Sequence, residues 1–252
     1  MRVLILGGTT EASAIAAALA GDGRIRPVLS LAGRTRAPVL PAIPARRGGF
    51  GGVDGLAEYL RAHEIAALID ATHPFAAQIS RNAVAAAAMA GVPLLTVLRP
   101  AWTPCPGDRW TEAADMPAAA QALGAKPRRV FLTIGQQELA PFTLVPWHSY
   151  LVRSVEPPDP ALLPPTSRYL TARGPFREDD EHRLLQQDGI EFLVTKNSGG
   201  AATAPKLAAA RALGVRVVMV ARPPPPMGET VPDAAAAMAW LDHVAATWKR
   251  GV

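Results

Sequence analysis

The sequence predicts an α/β protein built from two similar Rossmann-like or flavodoxin-like lobes, each carrying a parallel sheet, with a cleft between them. Three observations predict this: short apolar runs alternate with helical stretches, the first run ends in a glycine turn, and the second half repeats the plan of the first.

Arg2-Val3-Leu4-Ile5-Leu6 is apolar enough to serve as a strand buried on both faces, and Gly7-Gly8-Thr9-Thr10-Glu11 leads from it into an alanine-rich helix. Further strand-like runs stand at Pro27 to Leu31, Ala66 to Asp70 and Leu94 to Leu98. They are separated by helical stretches such as Leu56 to His63 and Ala76 to Ala90. Strands that alternate with helices in this way form parallel sheets covered on both faces.

The repeat appears when Arg129-Val130-Phe131-Leu132-Thr133-Ile134-Gly135-Gln136-Gln137-Glu138 is laid on Arg2 to Glu11: arginine, valine, glycine and glutamate coincide. Gly214 to Pro223 matches Gly91 to Pro100 in the same manner, and that alignment places Thr195 on Thr72. Each half closes with a proline-rich loop and an alanine-rich helix, Glu112 to Leu123 and Pro232 to Val244. Two related lobes are expected, a nucleotide-binding one over residues 1–125 and a second over 126–252 that contributes to cofactor and substrate binding. Ligands of open parallel sheets sit beyond the carboxyl ends of the strands, so the turns after Leu6, Asp70, Thr133 and Val194 are expected to line one cleft. Chance similarity between alanine-rich helices is the competing explanation, but the paired glycines and arginines lie outside those helices.

At 252 residues the chain can bury a substantial core without disulfides, and its one cysteine, Cys105, lies among prolines as a passive loop residue. No apolar run approaches the length of a membrane span, and the start of the chain lacks a signal-peptide layout, so a cytoplasmic protein with no membrane partner is expected. The net charge of +5 raises the question of nucleic acid, yet the arginines are scattered singly and base-stacking aromatics are sparse. A small acidic ligand suits that dispersion better than a duplex, so no nucleic-acid partner is expected. The histidines show no metal-ligand spacing, and neither a P-loop nor a serine-hydrolase elbow occurs; no metal is expected.

Gly7, Gly8, Thr9, Thr10 and Glu11 are candidates for phosphate binding, because backbone N–H groups at a helix start receive anionic oxygens and glycine permits close approach. The turn departs from G-x-G-x-x-G, with its glycines adjacent and Ala12 near the third position. A plain tight turn with a threonine cap is the alternative. After the second strand, Ser30 to Arg36 offers no acid to hold a ribose 2′-hydroxyl; Ser30 and Arg34 suit a 2′-phosphate instead, which favours NADPH over NADH. Asp70-Ala71-Thr72-His73-Pro74-Phe75 places Asp70 and His73 beyond a strand end as candidate acids, with capping and loop ordering as the bland alternatives. Thr195-Lys196-Asn197-Ser198-Gly199-Gly200 is the counterpart in the second half, dense in donors, and reads as an anion-holding turn or as a solvated glycine loop.

Ile5 to Ala12, Asp70 to Ala76 and Thr195 to Gly199, in that order and spacing, resemble the precorrin-6A reductases of cobalamin biosynthesis over nearly the whole chain. The resemblance implies NADPH-dependent reduction of one double bond of a polycarboxylate tetrapyrrole, precorrin-6A, to give precorrin-6B. It implies cofactor binding by Gly7 to Glu11, Ser30, Arg34, Thr72, Gly135 and Thr195 to Gly199 and substrate contacts by Arg153, Arg177 and Arg222; Asp70 and His73 are the candidate catalytic residues, with water as the alternative proton source. A monomer is expected, since the second lobe supplies the other wall of the cleft. The competing readings are a reductase of the cobalt-containing macrocycle and a non-catalytic two-lobed anion-binding protein.

Overall fold

The structure, a computed structural model, describes residues 1–33 and 42–248. Arg34 therefore lies outside the described residues. The first half runs β1 (Arg2–Leu6), α1 (Thr10–Leu19), β2 (Arg26–Leu31), β3 (Ala45–Arg47), α2 (Val53–Ala62), β4 (Ile65–Asp70), α3 (Ala77–Ala90) and β5 (Leu94–Val97). The chain continues through β6 (Trp110–Ala113), α4 (Met116–Gln121), β7 (Arg129–Thr133), the single-turn α5 (Ala140–Thr143), β8 (Ser149–Ser154) and β9 (Ser167–Thr171). It ends with α6 (Glu178–Gln187), β10 (Phe192–Lys196), α7 (Pro205–Leu213), β11 (Arg216–Val220), β12 (Glu229–Val231) and α8 (Ala234–Trp248).

Two six-stranded sheets result, in the orders β12-β5-β4-β1-β2-β3 and β6-β11-β10-β7-β8-β9. Neighbouring strands pair parallel throughout, with Leu6 level with Ser30 and Asp70 in the first sheet and Thr195 level with Thr133 in the second. The two orders are the same when the halves are aligned, as the sequence repeat predicts. Gly91 and Gly214, matched in that repeat, both end a helix in the left-handed conformation, at φ 67° in each case, before the fifth strand of their half. A side chain would be strained there, and this is why both positions are glycine.

The repeat does not divide the molecule at Lys126. One compact unit consists of Met1–Pro100 with Pro223–Val252, the other of Ala101–Arg222. The reason is an exchange of last strands: β12, from the end of the chain, pairs with β5, and β6, which follows β5 in sequence, pairs with β11. Both departures occur at matched positions of the repeat, Pro100 and Pro223. The expected lobes 1–125 and 126–252 thus each give up their closing strand and helix to the other sheet.

In the first unit, alternation along β1 sorts the core. Val3 and Ile5 face Ile15 and Leu19 of α1 and Leu241 of α8, whereas Leu4 and Leu6 face Leu56 and Leu60 of α2 and Ala83 and Ala86 of α3. Every residue of β4 is buried, as a central strand covered on both faces requires. Each leucine or isoleucine so buried contributes about 1.5–3 kcal/mol relative to exposure. In the second unit Phe131, Leu151, Leu193, Val217 and Met219 of four adjacent strands pack on Leu185 of α6 and Leu207 of α7.

Candidate active site

The strand order of the first unit reverses between β1 and β4, which leave the sheet side by side, and the polar residues gather at their carboxyl ends. Gly7 donates its N–H to Ser30 O at 2.9 Å, and a Cβ on Gly7 would stand 2.6 Å from Leu29 Cδ1; the first glycine is a packing requirement. Gly8 lies at φ +117°, and nothing stands within 4 Å of where its Cβ would be. The second glycine therefore serves the turn's conformation and leaves its backbone approachable. Thr9 caps α1 by accepting the Ala12 N–H at 3.2 Å, and its hydroxyl donates to Ala71 O at 2.7 Å, joining the glycine turn to the end of β4. Thr10 donates to Glu11 Oε2, which also receives Arg99 at 2.6 Å. That ion pair offsets a carboxylate that would otherwise disfavour an anion at the helix start.

Asp70 ends β4 with 1% of its surface exposed. Its Oδ1 accepts both the Thr72 N–H at 3.0 Å and the Thr72 hydroxyl at 2.7 Å, while Oδ2 is buried with no hydrogen-bond partner among the described residues. A buried carboxylate oxygen without a donor is costly, which makes this atom a candidate ligand contact. His73 Nδ1 accepts the Phe75 N–H at 3.2 Å, so a neutral ring carries its proton on Nε2. Ser30 is buried at the end of β2 and its hydroxyl accepts from Arg46 at 2.8 Å. Arg46 is further braced by the Gly48 and Gly49 carbonyls and lies 3.8 Å over the Phe50 ring. Sequence reasoning passed over Arg46, because β3 is three residues long and shows no apolar run.

The second unit presents the matched edge. Gly135, at φ +88°, follows β7 as Gly8 follows β1, but a short 3-10 turn, Gln136–Glu138, replaces the long helix. Thr195 is buried in β10, and Lys196 reaches Glu138 at 3.5 Å. Asn197 does not point outward: Oδ1 accepts the Trp102 N–H at 2.8 Å and Nδ2 donates to Trp102 O at 2.9 Å, while Arg222 donates to the Asn197 carbonyl at 2.6 Å. Ser198 is buried and Gly199 lies at φ +69°. Arg177 stands exposed at the start of α6.

Arg153 departs from its expected substrate contact. It is 7% exposed, forms a two-pronged pair with Glu181 of α6, itself 2% exposed, and is held between the rings of Phe131 and Phe176. A guanidinium so enclosed organises the interior rather than reaching a ligand. Nearby, Lys206 of α7 is 4% exposed, and burial, with the Arg153 charge adding to it, lowers its pKa to about 7.

Among the described residues no group of three or more His, Cys, Asp or Glu side chains could hold a metal ion, and no helix is long and apolar enough to cross a membrane. Two doubly wound parallel sheets of one strand order, each with its polar turns at the carboxyl edge, define the class of α/β proteins that place ligands at topological switch points. A family model described as Precorrin-6x reductase CbiJ/CobK matches residues 2–242, and the chain belongs to that family. A precorrin-6A reductase of Rhodococcus erythropolis is 54% identical over 241 residues, covering 95% of this chain and 97% of that protein. A solved structure named CobK precorrin-6A reductase superposes with a TM-score of 0.93 at 48% identity, covering 97% of both chains. A cobalt-precorrin-6A reductase of Priestia megaterium is 28% identical over 233 residues, covering 88% of this chain and 90% of that one.

Proposed function

We propose that this chain reduces precorrin-6A to precorrin-6B in cobalamin biosynthesis with NADPH as the hydride donor. The observation that carries the reading is the Gly7-Gly8 turn at the switch point between β1 and β4, tied by Thr9 to the strand that ends in Asp70. The difference between 54% identity to a precorrin-6A reductase and 28% to a cobalt-precorrin-6A reductase favours the metal-free macrocycle.

The first unit fits a dinucleotide. Gly8 leaves backbone open to approach, the first-turn N–H groups of α1 suit a pyrophosphate, and Arg99 offsets the charge of Glu11. No carboxylate occurs from Ser30 to Gly33, and the braced Arg46 beside the Ser30 hydroxyl suits a 2′-phosphate; Arg46 joins Ser30 in that role, with Arg34 outside the described residues. When bound, the nicotinamide supplies a hydride. The chain's own residues orient the ring against the macrocycle and manage a proton for the adjacent carbon. Asp70 and His73 are the candidate proton carriers at this edge, Glu11 being paired with Arg99, and Oδ2, which has no partner among the described residues, makes Asp70 the stronger choice. Thr72 positions Asp70 through Oδ1. Gly135, Thr195, Lys196, Asn197, Ser198 and Gly199 stay assigned to ligand holding, Asn197 through the shape it gives its turn, and Arg177 and Arg222 to substrate carboxylates. The protein acts in the cytoplasm as a monomer.

Steady-state turnover with NADPH against NADH, and with metal-free against cobalt-containing precorrin-6A, tests this reading. Preference for NADPH and the metal-free ring is expected; equal use of the cobalt substrate moves the assignment to that reductase.

A further inference from the structure

Lys206 is a long cationic side chain sealed inside the second unit, at the start of the helix that follows the Thr195–Gly200 turn. The charged groups facing it are Arg153 of β8 and Glu181 of α6, and these already satisfy each other through two prongs. Its Nζ has no hydrogen bond among the described residues; it lies 5.1 Å from the centre of the Trp102 ring. Trp102 in turn is bonded through its backbone, N–H and carbonyl both, to the side chain of Asn197. A chain of direct contacts therefore runs from Lys206 through Trp102 to the middle of the Thr195–Gly200 turn.

We infer that Lys206 is a positioning residue: its ammonium, drawn to the face of Trp102, holds that ring in place and thereby fixes Asn197 and the ligand-holding turn. This role rests on the proposed function only in what the turn holds. A cation over an indole face, desolvated as here, contributes about 0.5–2 kcal/mol, which corresponds to about a 2- to 30-fold effect on binding by the turn. The attraction exists only for the protonated amine. Burial lowers the Lys206 pKa to about 7, so the clamp is in place below that pH and released above it.

Two measurements test this. The first needs no substrate: tryptophan emission of the whole protein is titrated from pH 5.5 to 9 in the wild type, in Lys206→Met and in Trp102→Phe. The wild type is expected to show a component with a midpoint near 7 that is absent from both variants. A component that persists in Lys206→Met overturns the proposal, as does its absence from the wild type. The second is the KM for precorrin-6A at pH 6 and pH 8.5. Lys206→Met is expected to raise KM several-fold at pH 6 and to approach the wild type at pH 8.5, whereas an equal effect at both pH values would leave Lys206 a packing residue only. If the protein shows no reductase activity at all, the proposed function fails while the emission titration still decides the role of Lys206.

Discussion

Thr72 gives both its N–H and its hydroxyl to one oxygen of Asp70, and the other oxygen of that carboxylate is buried without a partner among the described residues. The arrangement fixes the carboxyl plane at the end of a fully buried strand and leaves a single atom for chemistry. Replacing Asp70 by Asn keeps the shape and removes the oxygen proposed to carry the proton. We expect kcat to fall by about 10²-fold or more while NADPH affinity changes by less than about threefold, as for loss of a positioned acid. Normal turnover by Asp70→Asn, measured at saturating substrate, would pass the role to His73 or water.

Arg46 and Ser30 meet at the carboxyl edge of β2 and β3, and no carboxylate occurs from Ser30 to Gly33. If Arg46 holds the 2′-phosphate as proposed, Arg46→Met should raise the KM for NADPH about tenfold, the loss of one charge-assisted contact, and leave that for NADH nearly unchanged. Equal effects on both cofactors would show that Arg46 only braces the Gly48 and Gly49 backbone.

Gly7→Ala sets a methyl group 2.6 Å from Leu29 Cδ1 in a packed core. Denaturant unfolding should show a loss of about 1–3 kcal/mol, the usual cost of overpacking. Gly8→Ala meets no neighbour, and its penalty arises from φ +117° alone.

Breaking the Arg153–Glu181 pair leaves a charge buried. Glu181→Leu alone should destabilise by about 3–5 kcal/mol, and Arg153→Met combined with Glu181→Leu should recover most of that loss in urea unfolding, because the double variant removes both charges of the pair together. Additive losses would mean that the two side chains are energetically uncoupled, against the pairing described.

His148 is wholly buried, and its ring nitrogens have no hydrogen-bond partner among the described residues. Burial holds its pKa below the usual 6.5, outweighing the neighbouring Gly124 backbone, which favours the charged ring, and the Arg128 charge adds to the lowering. The unfolded chain therefore takes up this proton at a higher pH than the folded one, so stability is full above about 6.5 and declines as pH drops toward the folded value. Thermal unfolding at pH 5 and pH 8 should differ less in His148→Phe than in the wild type.

Much of this was legible in the sequence where the signal is local. β1, β2, β4 and β5 announce themselves as apolar runs, and Gly91 and Gly214 mark two equivalent helix ends. The strand exchange was not legible, because Trp110–Ala113 and Glu229–Val231 are short, largely exposed edge strands whose partners are chosen by tertiary pairing rather than by composition. The Gly7–Glu11 turn and Asp70 could be singled out from their position after apolar strands. Arg153 could not be told from a ligand-binding arginine, since its partner Glu181 sits on a different element. Nor does the local sequence show that Asn197 is bound to Trp102, a partner 95 residues away.

The central claim is tested most directly by anaerobic incubation of the purified protein with precorrin-6A and either NADPH or NADH, followed by mass analysis of the tetrapyrrole. A gain of two hydrogens with NADPH is the predicted result; a folded protein that yields no gain with either cofactor would contradict the account.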